Sequence, residues 1–439
     1  MKVNGLLMKR MFVVFVLIVA AVLVLSACRR KSSDDGVPAG GPGPEPPVII
    51  PQVPITFASP QQAAGEVTAA LNTKALADTQ FAAAMAFGLG SRPAGFAPRM
   101  TSGDIGRIDP TVKMMVDKMA RLSQSSVIQK AIRKAGALKA MRATQVNQTL
   151  TVGFCDNADG KIQITGTNNY DDLASTDVIS SYTIDFTKCR DDVLLTELNG
   201  RINAEETEST AGNAVSTGLT NVDVRESQFK DETFAIELQQ SHLFGAFSDS
   251  DQITSASMSA NGQFSLTTLA QAATPVQAAT PETIVNHSFT GLTNARTTTS
   301  DATSTTDVDT INGSFTTGRF IGGAEVFKTT MQITNLVDKV QTITGPVGAA
   351  DVGVKNQTIN GTIGTAWTPE IAGCLPGLMT ITMAAPRTFA AGGTCPVSGA
   401  MTINGATITF GSPIQVNYFG ASQSFATCTE MDAAGAVCM

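Results

Sequence analysis

The chain has 439 residues, 30 basic against 37 acidic, for a net charge of −7 at pH 7. A net acidic chain is a poor ligand for polyphosphates, which argues against a nucleic-acid partner. With 43% hydrophobic residues over this length, it can bury the cores of two or three domains.

Lys2, Lys9 and Arg10 precede a run from Met11 to Ala27 that is apolar except for Ser26. A basic head before an apolar core is the layout of a secretory signal. Arg29-Arg30-Lys31 would also suit the flank of a retained helix. The run closes on Leu25-Ser26-Ala27-Cys28, which resembles the lipobox of bacterial lipoproteins: a branched apolar residue, two small residues and a cysteine. The resemblance implies a signal peptide over 1–27, cleavage before Cys28, a diacylglycerol on its thiol and an acyl group on the new amine. Each buried methylene contributes about 0.8 kcal/mol, so such an anchor holds the chain on a membrane. By the same resemblance, Arg29 after the cysteine, where inner-membrane lipoproteins carry Asp, implies the outer membrane. Cleavage leaves 27 basic and 37 acidic residues, a charge of −10.

Residues 28–58 are Pro/Gly-rich around Gly40-Gly41-Pro42-Gly43-Pro44-Glu45-Pro46-Pro47 and read as a tether. Ser59-Pro60-Gln61-Gln62 is a helix start, with Ser59 as cap, Pro60 in the first turn and Gln62 completing a capping box. An Ala-rich helix then runs to about Phe87, before Gly88 and Gly90. Asp109-Pro110 starts another. Its apolar stripe (Val112, Met115, Met119, Leu122) is out of phase with the next (Val127, Ile128, Ala131, Ile132, Ala135, Leu138). The spacing therefore predicts two helices broken near Ser123–Ser126. Residues 59–145 are a helical segment. Within it, 99–142 carry ten basic and three acidic residues, suited either to packing on an acidic domain or to lying on anionic lipid.

From about Thr149 the period becomes alternating, and 146–439 reads as an antiparallel β domain with Thr- and Ala-rich loops at 269–283 and 296–307. Asn-Gly recurs at 199–200, 261–262, 312–313, 360–361 and 404–405. Asn-Gly usually makes a hairpin turn. Here Leu198 and Ile202, Ala260 and Phe264, Ile311 and Phe315, and Ile359 and Ile363 stay in phase across the dipeptide, as they do in a continuous strand. Four of these glycines are thus expected mid-strand on the apolar face. The fifth copy is out of phase and expected at a bulge or turn. Mid-strand glycine permits bends. The expected fold is mainly β with an N-terminal helical segment: a large, strongly curved antiparallel sheet, a barrel or half-barrel, stapled by disulfides.

Besides Cys28, six cysteines remain: Cys155, Cys189, Cys374, Cys395, Cys428 and Cys438. An even count in an exported chain suits disulfides, and nearest-neighbour pairing gives 155–189, 374–395 and 428–438. No C-x-x-C occurs, and neither a metal nor a cofactor is expected. The unit Cys155…Gly160-Lys161-Ile162…Cys189…Leu198-Asn199-Gly200 resembles segments of uncharacterised β-rich bacterial lipoproteins, a resemblance that implies no activity.

No catalytic motif stands out. The two histidines, His242 and His287, lack a G-x-S-x-G elbow, and there is no H-E-x-x-H, Walker A or G-x-G-x-x-G. Asp249/Asp251 and Asp307/Asp309 read as solvated loop carboxylates rather than a calcium site. The sequence points to a lipid-anchored envelope protein, a non-enzymatic binding or structural module whose partner is an envelope protein or an apolar ligand. The alternative is an envelope glycan hydrolase with facing carboxylates in a cleft.

Overall fold

The computed structural model describes residues 49–86, 110–140, 145–150, 154–169, 177–209, 216–228, 232–247, 253–273, 279–345, 351–369 and 375–434. The expected signal segment, Cys28, Asp109, Asp249, Asp251, Cys374 and Cys438 lie outside them, as does the side chain of His242. Helix α1 (Pro60–Ala86) begins as its residues dictate. Ser59 Oγ accepts from the Gln62 N–H at 3.1 Å, and Gln62 Oε1 reaches back to the Ala58 N–H at 2.6 Å. Its buried face is largely small (Ala63, Ala64, Val67, Ala70, Ala77), which lets the helix lie close to the sheet.

Helices α2 (Pro110–Ser123) and α3 (Ser126–Ala140) are separate, as the phase change requires. At the break Ser125 Oγ accepts from Ile128 N–H at 3.3 Å and donates to Asp191 at 2.6 Å. Met115, Met119 and Leu122 on α2 and Val127, Ile128 and Ala131 on α3 are buried, while Arg121, Lys130 and Arg133 are exposed. Among the described basic side chains of α2 and α3, Lys118 is the exception. It is buried and pairs with Glu232 of the sheet at 2.8 Å.

Among the described residues the sheet has sixteen strands in strict sequence order, each antiparallel to the last. They are β1 (Gln145–Leu150), β2 (Lys161–Asn169), β3 (Asp177–Asp191), β4 (Thr196–Ser209), β5 (Ser216–Gln228), β6 (Glu232–Phe247), β7 (Ile253–Thr268) and β8 (Thr283–Ser300). Then follow β9 (Ser304–Ile321), β10 (Ala324–Ile343), β11 (Lys355–Thr368), β12 (Gly377–Phe389), β13 (Pro396–Ile403), β14 (Ala406–Phe410), β15 (Ile414–Tyr418) and β16 (Ala421–Phe425). A short helix α4 (Cys428–Ala434) ends the described chain, with Met431 buried. Inward residues of the strands and the apolar faces of the helices share one core.

The expected strongly curved barrel or half-barrel is overturned. Among the described residues β1 pairs only with β2 and β16 only with β15, so the sheet is an open meander. Alternation specifies which face of a strand is buried, but not whether the two edge strands meet. The residues 296–307 also differ from their reading as a loop. They are the ends of β8 and β9 around a three-residue turn, consistent with the strand preference of threonine. In that turn Asp301 accepts the N–H groups of Thr303 and Ser304 at 2.7 Å each. The Thr303 backbone bond, with the others, holds the Asp301 carboxyl down to about 2.

The repeated Asn-Gly proves to be one device. Gly200, Gly262, Gly313 and Gly361 lie inside β4, β7, β9 and β11, and only Asn404-Gly405 turns the chain, between β13 and β14. At the first three copies the strand opposite the asparagine carries a bulge. The asparagine side chain accepts the N–H of the bulged residue: Lys188 to Asn199 at 2.8 Å, Gly291 to Asn261 at 2.7 Å and Asn335 to Asn312 at 2.7 Å. Those three residues have φ of 47°, 59° and 47°. Asn360 accepts the Met383 N–H of β12 at 2.9 Å in the same way. From β7 to β12 the repeat is therefore one hairpin, an Asn-Gly strand followed by the strand it caps. A bulge leaves a backbone N–H out of the ladder, and the amide oxygen satisfies it. Asn312→Ala should cost about 1 kcal/mol of unfolding free energy, read from urea denaturation.

Two disulfides are present among the described residues, Cys155–Cys189 and Cys395–Cys428. The first is as expected; the second overturns the pairings 374–395 and 428–438. Cys395 leads into β13 and Cys428 follows β16, both at the same end of the strands. Cys155→Ala/Cys189→Ala should cost about 2–4 kcal/mol of stability in thermal or urea unfolding, by freeing a 34-residue loop in the unfolded chain.

The last ten residues of the expected tether are docked rather than free. Ile50, Ile55 and Phe57 are buried. Ile55 N–H bonds Leu378 O at 3.0 Å, Asn404 Nδ2 donates to Ile55 O at 3.0 Å, and Phe57 N–H donates to the Tyr418 hydroxyl at 3.2 Å. This segment crosses the ends of β12, β14 and β15 before α1 begins. We call that end of the strands the near rim and the opposite end the far rim.

Candidate functional site

The chemistry-bearing residues of the described chain concentrate on the inner face of β8–β12, where α1 covers it. Period-2 alternation places Leu292, Asn294 and Arg296 of β8 on one face, and Asp307, Asp309 and Ile311 of β9 with them. Leu336, Asp338 and Val340 of β10, Gln357 and Ile359 of β11, and Arg387 and Phe389 of β12 continue the surface. All of these are buried. Register makes rungs of them: Arg296 stands opposite Asp309 and Asp309 opposite Asp338, while Gln357 stands opposite Arg387.

The charged side chains and Gln357 on these rungs are bound to their neighbours, whereas Asn294 Oδ1 is buried without a hydrogen-bond partner among the described residues. Arg296 grips Asp309 with two nearly parallel bonds of 2.6 and 2.9 Å. Thr298 donates to Asp307 at 2.5 Å. Gln357 Nε2 donates to Asp338 at 2.8 Å and its Oε1 accepts from Arg387 at 2.6 Å. Arg387 also lies 5.4 and 5.6 Å from the ring centres of Phe389 and Phe410, a cation–π arrangement. From α1, Lys74 and Asp78 share a face one turn apart. Lys74 Nζ bridges Asp78 at 2.6 Å and Asp338 at 2.9 Å.

The electrostatics follow from that geometry. Burial alone would lower the Lys74 pKa, but Asp338 and Asp78 outweigh it and hold the ammonium above its ordinary range. Burial likewise opposes the Arg296 charge, and Asp309 more than compensates. Asp78 shares Lys74 with Asp338, and burial pushes its carboxyl up to about 6 against the pull of Lys74. About two turns before Lys74 on α1, burial pushes Glu66 up to about 7, opposed by a backbone bond from Leu375.

These shifts have a sign. Unfolded, Glu66 and Asp78 ionise near 4.5 and 3.8; folded, they do so near 7 and 6. Between those limits the folded chain retains protons that the unfolded chain has released, so stability falls as pH rises. The urea midpoint should drop between about pH 4.5 and 7, by on the order of 1–3 kcal/mol in free energy. Glu66→Gln should flatten about half of that slope, Asp78 supplying the rest.

Asp307 and Asp309 are thus corrected from solvated loop carboxylates to buried strand residues. Both keep the same parity as Ile311 and Phe315, and that phase was the overlooked signal. Lys74, Asp78, Arg296, Asp338, Gln357 and Arg387 were not singled out by the sequence, although Arg296 and Asp338 also stand in phase with apolar neighbours. His287 is buried on the same face of β8. It is stacked between Phe264 and Phe315 at 6.2 and 6.1 Å, and its Nδ1 bonds Thr317 Oγ1 at 2.8 Å. The structure does not bring His287 to the aspartates' rungs, which lie on the other side of the β8 bulge. Among the described residues no three His, Cys, Asp or Glu side chains are placed to hold a metal ion.

What this arrangement can do is lock α1 onto the sheet. A carboxylate that accepts two bonds from a guanidinium, or one from an ammonium and one from an amide, is a poor base or nucleophile, because its lone pairs are engaged. Buried ion pairs of this kind specify one docking register for the helix more than they add net stability. Comparison with protein-family models, curated proteins and solved structures returns no match to this chain.

Proposed function

We propose that the chain is a lipid-anchored, non-enzymatic module of a bacterial cell envelope, in which a rigid β meander is held at the membrane by acylated Cys28. The observation that carries the reading beyond the Leu25–Cys28 motif is the pair of disulfides, Cys155–Cys189 and Cys395–Cys428. Disulfides persist in oxidising compartments, to which an exported lipoprotein is delivered. The buried ion network supports a structural use of the carboxylates over the glycan-hydrolase alternative, since Asp309 and Asp338 are engaged by Arg296, Lys74 and Gln357. A module that carries an apolar ligand would need an apolar cavity along the Asn-Gly strands. α1 packs against one of their partners, with Thr73 on Met331 and Lys74 on Asp338 of β10, which favours contact made by a surface instead.

The test is mass spectrometry of the N-terminal peptide together with membrane fractionation. The native chain should begin at a triacylated Cys28 and float with outer-membrane lipid on a density gradient. Cys28→Ala should leave the membrane fraction or accumulate with its leader uncut. An unmodified peptide beginning at Met1 would sink the reading.

A further inference from the structure

The near rim carries an apolar residue that the fold does not use. The turn between β15 and β16 is Phe419-Gly420, with φ of 46° and 82°. The same sheet makes the same kind of two-residue turn at Asn404-Gly405, with φ of 44° and 87°. Asn-Gly is the pair that this backbone prefers, because both central residues need positive φ. A bulky residue in that position is strained and uncommon. Yet the Phe419 side chain is not folded back: the residue is 89% exposed, touching the Tyr418 ring at 4.5 Å between centroids. Strain without burial makes a poor structural choice and a suitable contact residue.

The chain's N-terminal segment ends beside that tip. Phe57 packs edge-on against Tyr418 at 5.4 Å, and Ile49 and Val53, at the start of the segment, are 85% and 59% exposed. Twenty residues separate Ile49 from Cys28. Twenty residues reach at most about 70 Å when fully extended, which ties the near rim within that distance of whatever holds Cys28. At that range a contact too weak to bind alone becomes an intramolecular event. Exposed Phe, Trp and Leu side chains of membrane-facing surfaces bury at the headgroup/acyl boundary of a bilayer.

We propose that the Phe419 tip inserts into the outer layer of the membrane in which Cys28 is anchored, so that the near rim faces the lipid and the far rim faces away. This rests on the anchor reading above. The experiment replaces the chain's single tryptophan (Trp367→Phe) and introduces Phe419→Trp, or, on the far rim in the β10–β11 loop, Val352→Trp. Each variant is reconstituted through its own lipid into phosphatidylcholine vesicles with and without brominated acyl chains. A parallel arm uses residues 29–439 held on nickel-chelating lipid by an N-terminal histidine tag, which keeps the measurement independent of acylation.

The expected result is a blue-shifted emission and at least twofold quenching at position 419 in both arms, with little at 352. Equal quenching at the two positions, or none at 419 while the protein is vesicle-bound, would overturn the proposal. Failure of the anchor reading would show separately, as an unmodified Cys28 by mass while the tagged arm still reports on the tip. Phe419→Asn provides the second readout. It should raise the unfolding midpoint, as the residue the turn prefers, and a lowered midpoint would show that the ring serves the fold instead.

Discussion

Lys74→Met is expected to destabilise the protein by about 3–5 kcal/mol, a large share of the stability of an ordinary domain. The substitution removes the one cation that Asp78 and Asp338 share at 2.6 and 2.9 Å and leaves both carboxylates buried beneath α1. Methionine keeps the volume of the lysine stem, so the loss reports the charge and not a cavity. Urea unfolding with circular dichroism measures it. The companion variants separate charge from packing. Asp338→Asn in the Lys74→Met background should restore part of the loss, because a neutral amide tolerates burial where an unpaired carboxylate does not. If the double variant is as unstable as the sum of the singles, the two residues are not coupled and the network does not lock the helix. The same substitution should also steepen the pH dependence, since Asp78 without its cation would hold a proton to still higher pH.

Gly361→Ala should cost about 2–4 kcal/mol, from strain and overpacking together. At φ of +150° a side chain is disfavoured whatever the space. There is also no space, since an added Cβ would lie 2.6 Å from Leu336 Cα and 2.7 Å from Asn335 O in the bulge of β10. The neighbour is backbone already tied down by Asn312, so it cannot yield cheaply. Gly200→Ala should behave alike, with its Cβ overlapping the Asp223 carbonyl oxygen of β5. Gly405→Ala is the contrast. It too has positive φ but meets nothing within 4 Å, so it should pay only the backbone strain, about 1 kcal/mol. Thermal melts of the three variants would rank them. A neutral Gly361→Ala would contradict the close strand approach.

Much of the local structure was legible in the residues. Ser59-Pro60 starts a helix because its bonds are made within four residues, and the phase slip after Leu122 separates α2 from α3 because helical period is local. The in-phase Leu198/Ile202 and its three counterparts put glycine mid-strand rather than in turns, by alternation alone. Why the pair is there was not legible: the asparagine caps a bulge 11 to 30 residues away at Lys188, Gly291 and Asn335, and the glycine admits the close approach of a neighbouring strand at Asp223, Glu237, Leu292 and Leu336. Asp307 and Asp309 looked solvated because composition marks them as polar, while their parity marked them as buried. Parity is informative only once the residues are known to lie in a strand.

By itself the sequence determined an apolar run closing on Cys28, the change from helical to alternating period near residue 145, and the inward faces of the four Asn-Gly strands. These depend on covalent neighbours and on a repeat of two or 3.6 residues. Only the tertiary structure decided that the sheet stays open, that Cys395 joins Cys428, that Lys74 reaches across to Asp338, and that Ile49 and Phe419 come to one rim. Each is a meeting of residues distant in the chain, set by strand length, register and direction summed over many elements, and no local pattern encodes that sum.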